Sequence, residues 1–301
     1  MRVLIVGCGY VGLPVGAELV RQGHEVVGVR RSEAGAEAIR AAGMEAVIGD
    51  IASSEFALPA GRFDALVFTA SSGAGAAPEA IRRLRLEGLA KLVGALSAEP
   101  PKKFVYASSV AVYGQVDGSA VKETSLTEPQ GSRAKVWLEA ERWLLRSGKA
   151  LSPVVLRLGE IYGPGRELFV EAFAKNRFKI PGQGQRHLNL IHRDDLVSAI
   201  LAALKSGRPG EVYNVVDDEP IRETPFYSWL SETLGKWMPP SGPEESDPER
   251  MRELANCKVS NRRLTMELGC RLKYPNFRLG YTAEIKRMTD EGSLEIVPEE
   301  R

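Results

Sequence analysis

Three glycines with the spacing of a dinucleotide-binding turn lie near the start of the sequence. The segment VLIVGCGYVG contains Gly7, Gly9 and Gly12 in the pattern G-x-G-x-x-G, after a β-rich run and before a helical pattern. Gly7 permits a tight turn, Gly9 lets the backbone approach a pyrophosphate, and Gly12 allows close packing of the helix whose amides face the phosphates. The pattern predicts a dinucleotide site; a glycine-rich turn without a ligand is the alternative.

The end of the second predicted strand indicates which dinucleotide this site would hold. A site for NAD usually has Asp or Glu about 20 residues after the glycine turn, where the carboxylate binds the ribose 2′-hydroxyl. Here the run VVGVRR ends in Arg30 and Arg31. Guanidinium groups pair with a 2′-phosphate through two hydrogen bonds, whereas a carboxylate would repel it. We therefore expect NADP, with NAD as the second choice; two surface arginines at a strand end are the alternative.

Further residues beside these motifs are expected to line the same site. Asp50 follows the run EAVIG and is placed to meet the adenine side of the nucleotide or to cap the next turn. In open parallel sheets, ligands bind outside the carboxyl ends of the strands. The other expected lining residues are Tyr10, Val11, Ile51 and Ala70.

A lysine near the start of a helical pattern is a second candidate for chemistry. The segment EPQGSRAKVWLEAERWLL, residues 128–145, contains Lys135, and one turn earlier the chain has Gly131 rather than an acid, a base or a phenol. Lys135 is therefore either half of a catalytic pair without its usual partner or a solvated helix lysine.

The elements that must position these residues alternate regularly between strands and helices. Helical patterns cover residues 12–22, 33–42, 78–98 and 132–147. Between them lie the strand-length runs RVLIVG, HEVVGVR, EAVIGD, DALVFTAS, KFVYASS and SPVVLRLG. Apolar strands that alternate with helices indicate a parallel sheet covered on both faces. With right-handed crossovers, the pattern predicts an α/β fold with a doubly wound, Rossmann-type sheet.

The pattern of alternating strands and helices changes after IYGPGR, and we expect this part of the chain to contain a smaller C-terminal substrate-binding domain. Helices are predicted at ELFVEAFAKN, 194–205 and 224–235, with one more strand at EVYNVVD. We expect residues 1–157 and 187–216 to form the dinucleotide-binding domain. Residues 158–186 and 217–290 would then form the substrate domain. The last segment, 291–301, is predicted to be a frayed tail.

The composition is that of a soluble globular chain without a strong charge bias. Of 301 residues, 44% are hydrophobic, and 40 basic residues balance 39 acidic ones. This balance gives no reason to expect nucleic acid or membrane partners, and no apolar run approaches the roughly 18 residues that span a bilayer. Three scattered cysteines and three histidines predict no disulfide framework and no metal site. We expect a cytoplasmic protein with a small-molecule substrate; a signal peptide in the first segment is the disfavoured alternative.

Four further motifs carry a resemblance to a known family. The segments YASSVAVYG, LRLGEIYGPGR, NLIHRDDLVSAI and EVYNVVDDEP occur in the order typical of the extended short-chain dehydrogenase/reductase family. This is the group of NAD-dependent epimerases and dehydratases, and the chain resembles it from Met1 to about Tyr281. The resemblance implies a Rossmann-type fold and an NAD(P)-dependent epimerase, dehydratase or reductase that acts on a small sugar, polyol or carbonyl compound.

The resemblance also assigns catalytic positions, one of which departs from the family pattern. Ser109 matches the family's serine, which orients the reacting oxygen, and Lys135 matches the lysine that holds the nicotinamide ribose. The tyrosine that exchanges a proton would be at position 131, where this chain has Gly131. In this respect the chain resembles the atypical YeeZ-like subgroup. A non-catalytic sensor or regulator that binds NADP(H) is therefore the alternative function.

Several other residues are candidates for catalysis or substrate binding. Tyr113, in VYG, could replace the tyrosine, although in the family it is usually structural. Glu160 stands where nucleotide-sugar enzymes of the family commonly have an asparagine that contacts substrate. Tyr162 and Arg166 belong to a loop over the carboxyl edge of the sheet, where Arg166 could bind an anionic substrate.

The segment around IHRDDL predicts structural roles. His192 is expected to be a packing residue, and Asp195 is expected to cap the next helix. Nucleotide-sugar members of the family generally have an arginine four residues before this histidine, whereas this chain has Leu188, and Arg186 is out of register. This departure weakens the case for a UDP-sugar substrate.

Two helices suggest how copies of the chain would associate. The helices at 78–98 and 132–147 match the pair through which extended family members dimerise, so we expect a homodimer. Their apolar seam would be Trp137, Trp143 and Leu144, and the three arginines Arg82, Arg83 and Arg85 would form a solvated face. The Pro-rich loop 239–248 is predicted to become ordered when ligand binds.

Overall fold

The computed structural model describes the chain apart from positions 74, 148–150, 152, 181, 243–254 and 298–301. Two predicted segments fall partly on those positions. In the Pro-rich loop 239–248, residues 243–248 lie outside the described residues, and so do the last four residues of the predicted tail.

Seven parallel strands form the central sheet, as the sequence predicts. The sheet strands are β1 (Arg2–Val6), β2 (Glu25–Arg30), β3 (Glu45–Ile48), β4 (Ala65–Phe68), β5 (Lys103–Ser109), β7 (Pro153–Leu158) and β11 (Val212–Val215). Their spatial order is β11-β7-β5-β4-β1-β2-β3, and every neighbouring pair is parallel. The strand order reverses at β1: β2 and β3 follow on one side of it, and β4 and the later strands lie on the other side. A ligand crevice is therefore expected between β1 and β4.

Ten α-helical segments flank this sheet or follow it in the described part of the chain. They are α1 (Gly12–Arg21), α2 (Glu33–Ala41), α3 (Pro78–Arg82), α4 (Leu89–Ala95), α5 (Ser132–Arg146), α6 (Leu168–Ala174), α7 (Arg193–Ser206), α8 (Glu223–Leu234), α9 (Arg262–Met266) and α10 (Phe277–Asp290). The predicted helices 12–22, 33–42, 132–147, 194–205 and 224–235 agree with these bounds within one residue at each end. The last two helices were not predicted.

The predicted helix 78–98 is interrupted by a π-helical turn. Residues Arg83–Gly88 form this turn between α3 and α4. A π-turn inserts an extra residue and shifts the faces of the helix around it. Arg82 and Arg83 remain exposed, whereas Arg85 is only 6% exposed. The prediction of a solvated arginine face was therefore wrong for Arg85.

Two apolar clusters cover the two faces of the sheet. One contains side chains of α1 and α7, such as Val15 and Leu196, and the other contains side chains of α4 and α5, such as Leu92 and Leu144. Burial on both faces explains why β4 and β7 have no exposed position. Leu144 is 0% exposed inside this core, so it does not belong to a surface seam as predicted.

A third apolar cluster lies outside the sheet and is rich in aromatic rings. It combines side chains of α6, α8 and α10, among them Phe173, Phe226 and Tyr281. Two short strand pairs accompany it: β8 (Glu160–Tyr162) with β10 (Leu190–His192), and β9 (His187–Leu188) with β12 (Ile221–Arg222). A third pair, β6 (Ala120–Val121) with β13 (Lys258–Val259), packs in a smaller apolar cluster around Tyr113. The domain boundaries given above stay a prediction.

No helix within the described residues is both long enough and apolar enough to cross a bilayer.

Candidate active site

The carboxyl ends of the central strands open into a cavity of about 660 Å³, which we call the glycine-turn cavity. It lies where β1 and β4 diverge, as the strand order predicts. The residues that were expected to bind the dinucleotide and that line this cavity are Gly7, Gly9, Tyr10, Val11, Arg30, Arg31, Asp50, Ile51 and Ala70. Gly12 does not line it, because it is the first residue of α1 and packs under the turn.

The glycine turn leaves no room for side chains at two of its positions. Gly7 has φ +88°, and a Cβ there would lie 2.2 Å from the backbone nitrogen of Ala70. A Cβ on Gly12 would lie 2.8 Å from the carbonyl oxygen of Gly7. Only glycine allows this close approach of backbones, which brings the start of α1 next to the cavity. The turn therefore fits the pyrophosphate of a dinucleotide.

Arg30 folds back over the glycine turn. Its Nη1 atom lies 2.1 Å from where a Cβ on Gly9 would be, so the guanidinium reaches into the cavity. Neither Arg30 nor Arg31 forms an ion pair with a described carboxylate. Asp50 lines the cavity, and its Oδ1 accepts a hydrogen bond from the backbone nitrogen of Ala52 at 3.0 Å, as expected of a residue that caps the next turn. The two arginines at the end of β2 thus keep their charge unpaired among the described carboxylates, while the nearby Asp50 pairs with Arg83.

A second cavity, of about 470 Å³, adjoins the first, and we call it the aromatic cavity. The two cavities share four lining residues: Ser109, Trp137, Leu158 and Gly159. Phe169, Phe178 and Tyr227 form aromatic walls. Ser109 ends β5, and its Oγ accepts a hydrogen bond from the backbone nitrogen of Ala111 at 3.2 Å. The predicted catalytic serine therefore stands at the junction of the two cavities.

One arginine in the aromatic cavity is held between two carboxylates. Arg186 donates to Glu160 at 2.8 Å and to Glu223 at 2.9 Å. Burial lowers the pKa of Arg186, but the two carboxylates outweigh this effect and shift its pKa upward. Burial raises the pKa of Glu223. Glu160 thus lines the cavity as predicted, but it is already engaged by Arg186.

A model of the NAD dependent epimerase/dehydratase family matches residues 3–216. The chain belongs to this family. Protein YeeZ of Escherichia coli (strain K12) is 28% identical over 289 residues, which cover 91% of this chain and 97% of YeeZ. A 3-diazoavenalumate denitrifying reductase of a Streptomyces species is 28% identical over 310 residues, covering 94% and 100% of the two chains. A solved structure of a functionally unknown protein from Silicibacter pomeroyi DSS has 29% identity and a TM-score of 0.79, covering 95% and 98%.

Lys135 does not line the site in which the resemblance to the family predicted that it would hold the nicotinamide ribose. Its side chain is exposed, and it lines neither the glycine-turn cavity nor the aromatic cavity. Trp137, two residues later, lines both. Two residues correspond to about 200° around a helix, so the faces are nearly opposite. Trp137, and not Lys135, therefore faces the cavities, and Lys135 is a solvated helix lysine.

Tyr113 is not a substitute acid in this epimerase/dehydratase-family protein. It is 1% exposed, donates to Asn214 Oδ1 at 2.8 Å and accepts from Arg157 at 3.0 Å. Burial raises the pKa of Tyr113. It lines neither cavity. The candidate catalytic role is thus overturned, because the phenol is enclosed in a core network.

Tyr162 and Arg166 also differ from their predicted role at a substrate. Tyr162 is 2% exposed and stacks on Tyr281 with ring centroids 4.2 Å apart, so it is a packing residue. Arg166 lines the glycine-turn cavity rather than the aromatic cavity, and its guanidinium lies 4.2 Å from the ring centroid of Tyr10. Burial raises the pKa of Tyr10 to about 12. Arg166 therefore lies beside the glycine turn.

The IHRDDL segment is structural, but its helix cap is His192 and not Asp195. His192 is 0% exposed, accepts from the backbone nitrogen of Asp194 at 3.1 Å and contacts Glu284 at 3.0 Å. It is thus His192 that caps α7. The prediction that Asp195 caps this helix was wrong, because its carboxylate accepts from the backbone nitrogens of Lys273 and Tyr274.

Sequence reasoning missed several charged or titratable residues of the site, among them Arg85 and His187. Arg85 lines the glycine-turn cavity and donates to Tyr106 Oη at 2.8 Å and to the carbonyl oxygen of Ala107 at 3.0 Å. His187 lines the aromatic cavity and contacts Asn256. Neither lies in a motif, and the only signal was that His187 is one of three histidines in the chain.

Proposed function

We propose that this protein is an NADP-dependent reductase that acts on a carbonyl group of a small, non-nucleotide compound. The observation that carries the proposal is the junction of the glycine-turn and aromatic cavities at Ser109. A bound nicotinamide cofactor supplies the hydride for such a reduction. The name of the Streptomyces relative, a denitrifying reductase, favours reduction over epimerisation. The same cavities would serve an epimerase or dehydratase of the family on a sugar or polyol.

Each end of the site has a role in this proposal. The amides after the glycine turn bind the pyrophosphate, and Arg30 and Arg31 bind the 2′-phosphate. Ser109 Oγ donates a hydrogen bond to the oxygen of the substrate carbonyl. The aromatic walls exclude water from the reacting atoms. We further propose that the protein works in the cytoplasm as a homodimer, although Leu144 cannot contribute to the contact.

The aromatic cavity favours a substrate without a pyrophosphate. Leu188 is 0% exposed, so it offers the cavity neither charge nor a hydrogen bond. Arg186 is paired with Glu160 and Glu223, so its charge is already balanced. Because two carboxylates surround one guanidinium, the group carries an excess of acid that would repel the two phosphates of a sugar nucleotide. A neutral compound with a carbonyl group and an apolar or aromatic body fits these walls.

The cofactor preference can be measured by calorimetric titration of the nucleotide-free protein with NADPH, NADP⁺, NADH and NAD⁺. We expect the phosphorylated pair to bind at least tenfold tighter, or about 1.4 kcal/mol. The double variant Arg30→Ala/Arg31→Ala should lose this difference and retain NADH binding. Arg40→Ala, an exposed arginine on α2 paired with Glu33, is the control. Equal affinity for NADPH and NADH would contradict the assignment of both arginines.

The role of Ser109 can be tested by Ser109→Ala. Loss of a hydrogen-bond donor to the reacting oxygen should lower kcat by about 10²–10³-fold, while NADPH affinity should change little. Turnover is followed as NADPH oxidation with a panel of small aldehydes and ketones. Ser198→Ala, on the surface of α7, is the control.

A non-catalytic NADP(H) sensor is the second candidate, since Gly131 and the exposed Lys135 leave the family's usual catalytic pair incomplete. This candidate predicts tight NADPH binding and no turnover with any compound of the panel.

A further inference from the structure

His187 presents an imidazole to the aromatic cavity, and its orientation is defined by a neighbouring amide. Its backbone nitrogen and its Nδ1 both lie at hydrogen-bond distance from Asn256 Oδ1, at 3.0 and 2.9 Å. The side-chain nitrogen of Asn256 donates to the carbonyl oxygen of Val116 at 3.4 Å, which directs its oxygen toward His187. An amide oxygen only accepts hydrogen bonds. Nδ1 must therefore carry the hydrogen, and in the neutral ring Nε2 has the lone pair.

The other ring nitrogen of His187 is available for chemistry. Nε2 has no hydrogen-bond partner among the described residues. It is nevertheless not one of the unpartnered polar atoms that are fully enclosed by protein, so it remains accessible. Since the residue is 8% exposed and lines the aromatic cavity, we infer that Nε2 faces the space in the cavity. His192, by contrast, uses both ring nitrogens in the core, and His24 lies at the surface beside the N-terminus.

We propose that His187 is the general acid–base that replaces the family's tyrosine, with Asn256 as its positioning residue. This inference rests on the proposed reductase function. In the reduction, the carbonyl carbon receives the hydride and the carbonyl π electrons move to oxygen. The oxygen then takes the proton from Nε2 of the imidazolium, so the N–H bond breaks and its electron pair remains on Nε2. The ring is left neutral, with Nδ1–H on Asn256, and this form accepts the proton in the reverse oxidation.

Tyr227 is the competing proton donor in this cavity. It lines the same walls, and burial raises its pKa well above that of a free phenol. A phenol in this state stays protonated and cannot act as a base near neutral pH. An imidazole changes its charge in the physiological range, so it serves both directions of the reaction. The comparison of His187→Gln with Tyr227→Phe therefore separates the two candidates.

The charged and titratable groups around His187 come from several elements. Five of them line the same cavity: Glu160, Arg186, Glu223, Tyr227 and Cys257. Arg222 is paired with His187 across the strands β9 and β12, and Asp117 precedes Gly118, which lies against the imidazole ring. A pH profile of turnover thus needs the His187 variant as a reference, because any of these groups contributes to the profile of the unaltered protein.

The first measurement is made without substrate or cofactor, by ¹⁵N NMR of the histidine rings in the full chain. Because the chain has three histidines, the spectra of His187→Gln and His24→Gln assign the signals. We expect the Nδ1–H tautomer for the neutral ring of His187, and loss of this tautomer preference in Asn256→Ala. A neutral ring that carries its hydrogen on Nε2 would overturn the proposal.

The second measurement is turnover of the aldehyde and ketone panel with NADPH. His187→Gln should lower kcat by about 10²–10⁴-fold and remove the pH dependence of the protonation step. Calorimetric NADPH affinity should stay within about twofold, and His24→Gln should behave like the unaltered protein. Asn256→Asp, which still accepts from Nδ1, should retain activity with a displaced pH profile, whereas Asn256→Ala should not. Activity of His187→Gln close to that of the unaltered protein, or its loss only in Tyr227→Phe, would overturn the assignment.

The failures of the two proposals are distinguishable. If NADPH does not bind, or if the panel is not reduced, the proposed function fails. The NMR result then decides by itself whether His187 is built as an acid–base.

Discussion

Glu141→Gln is expected to lower the free energy of unfolding by about 3–5 kcal/mol. Glu141 on α5 is 1% exposed and forms an ion pair with Arg157 on β7, which is 4% exposed. Ser108 Oγ also donates to Glu141 at 3.0 Å, and Arg157 donates to Tyr113. Removal of the carboxylate leaves a buried guanidinium without a counter-charge, and the protein interior solvates a lone charge poorly. Urea denaturation monitored by circular dichroism measures the change.

Two controls make this prediction specific to the buried pair. Glu139→Gln removes a carboxylate from the same helix, but its pair with Arg82 is about half exposed on both sides. Such exposed pairs contribute roughly 0–1 kcal/mol. The double variant Glu141→Leu/Arg157→Met should recover most of the lost stability, because no uncompensated charge remains. A cost of Glu141→Gln that does not exceed that of Glu139→Gln would refute the account.

Asp217→Asn is expected to remove much of the decline in stability between about pH 4 and pH 8. Asp217, after β11, is 1% exposed, and burial raises its pKa from 3.8 to about 8. Nearby acidic groups act in the same direction, and Oδ2 has no partner among the described residues. In this window the unfolded carboxyl is ionised while the folded one retains its proton. The folded state therefore binds more protons, and stability falls as pH rises.

The size of this effect follows from the same linkage. Each unit of separation between the folded and unfolded pKa corresponds to about 1.4 kcal/mol, so the penalty of Asp217 at pH 8 is on the order of 5 kcal/mol. Asp217→Asn should stabilise the protein most at the alkaline end of the window and little below pH 4. Asp290→Asn, which removes an exposed carboxylate at the end of α10, is the control. Parallel pH–stability curves for the unaltered protein and Asp217→Asn would show that the carboxyl is ionised in the folded state.

The site proposals depend on which face each helix turns toward the cavities. The family motif pointed to Lys135, whereas Trp137 faces both cavities and Arg85 reaches the first one from a π-helical turn. Guanidinium and indole lie against each other, with Arg85 Cζ 5.1 Å from the ring centroid of Trp137. A cation is thus present near the junction although the lysine is not. We expect it to contribute positive potential there, because its partners are a phenol and carbonyl oxygens rather than a carboxylate.

The amino-acid sequence by itself determined the sheet, the glycine turn and the family. Seven apolar runs became seven parallel strands, and Gly7, Gly9 and Gly12 lie where the G-x-G-x-x-G pattern requires them. These features are local. Hydrophobic period, β-branched composition and the conformational freedom of glycine act within a few neighbouring residues, so they are visible in the order of the letters.

Only the tertiary structure decided which polar side chains meet at the cavities. His187 and Asn256 are 69 positions apart, and the short strand β9 and the segment before β13 must pack together before Nδ1 finds its acceptor. Tyr113 and Tyr162 were candidates in the sequence and His187 was not, yet packing encloses both phenols. The burial of a side chain and its hydrogen-bond partners depend on segments that are distant in the sequence. The face of a helix matters as well, because a shift of two residues along α5 leads from a solvated lysine to a tryptophan in the cavity wall.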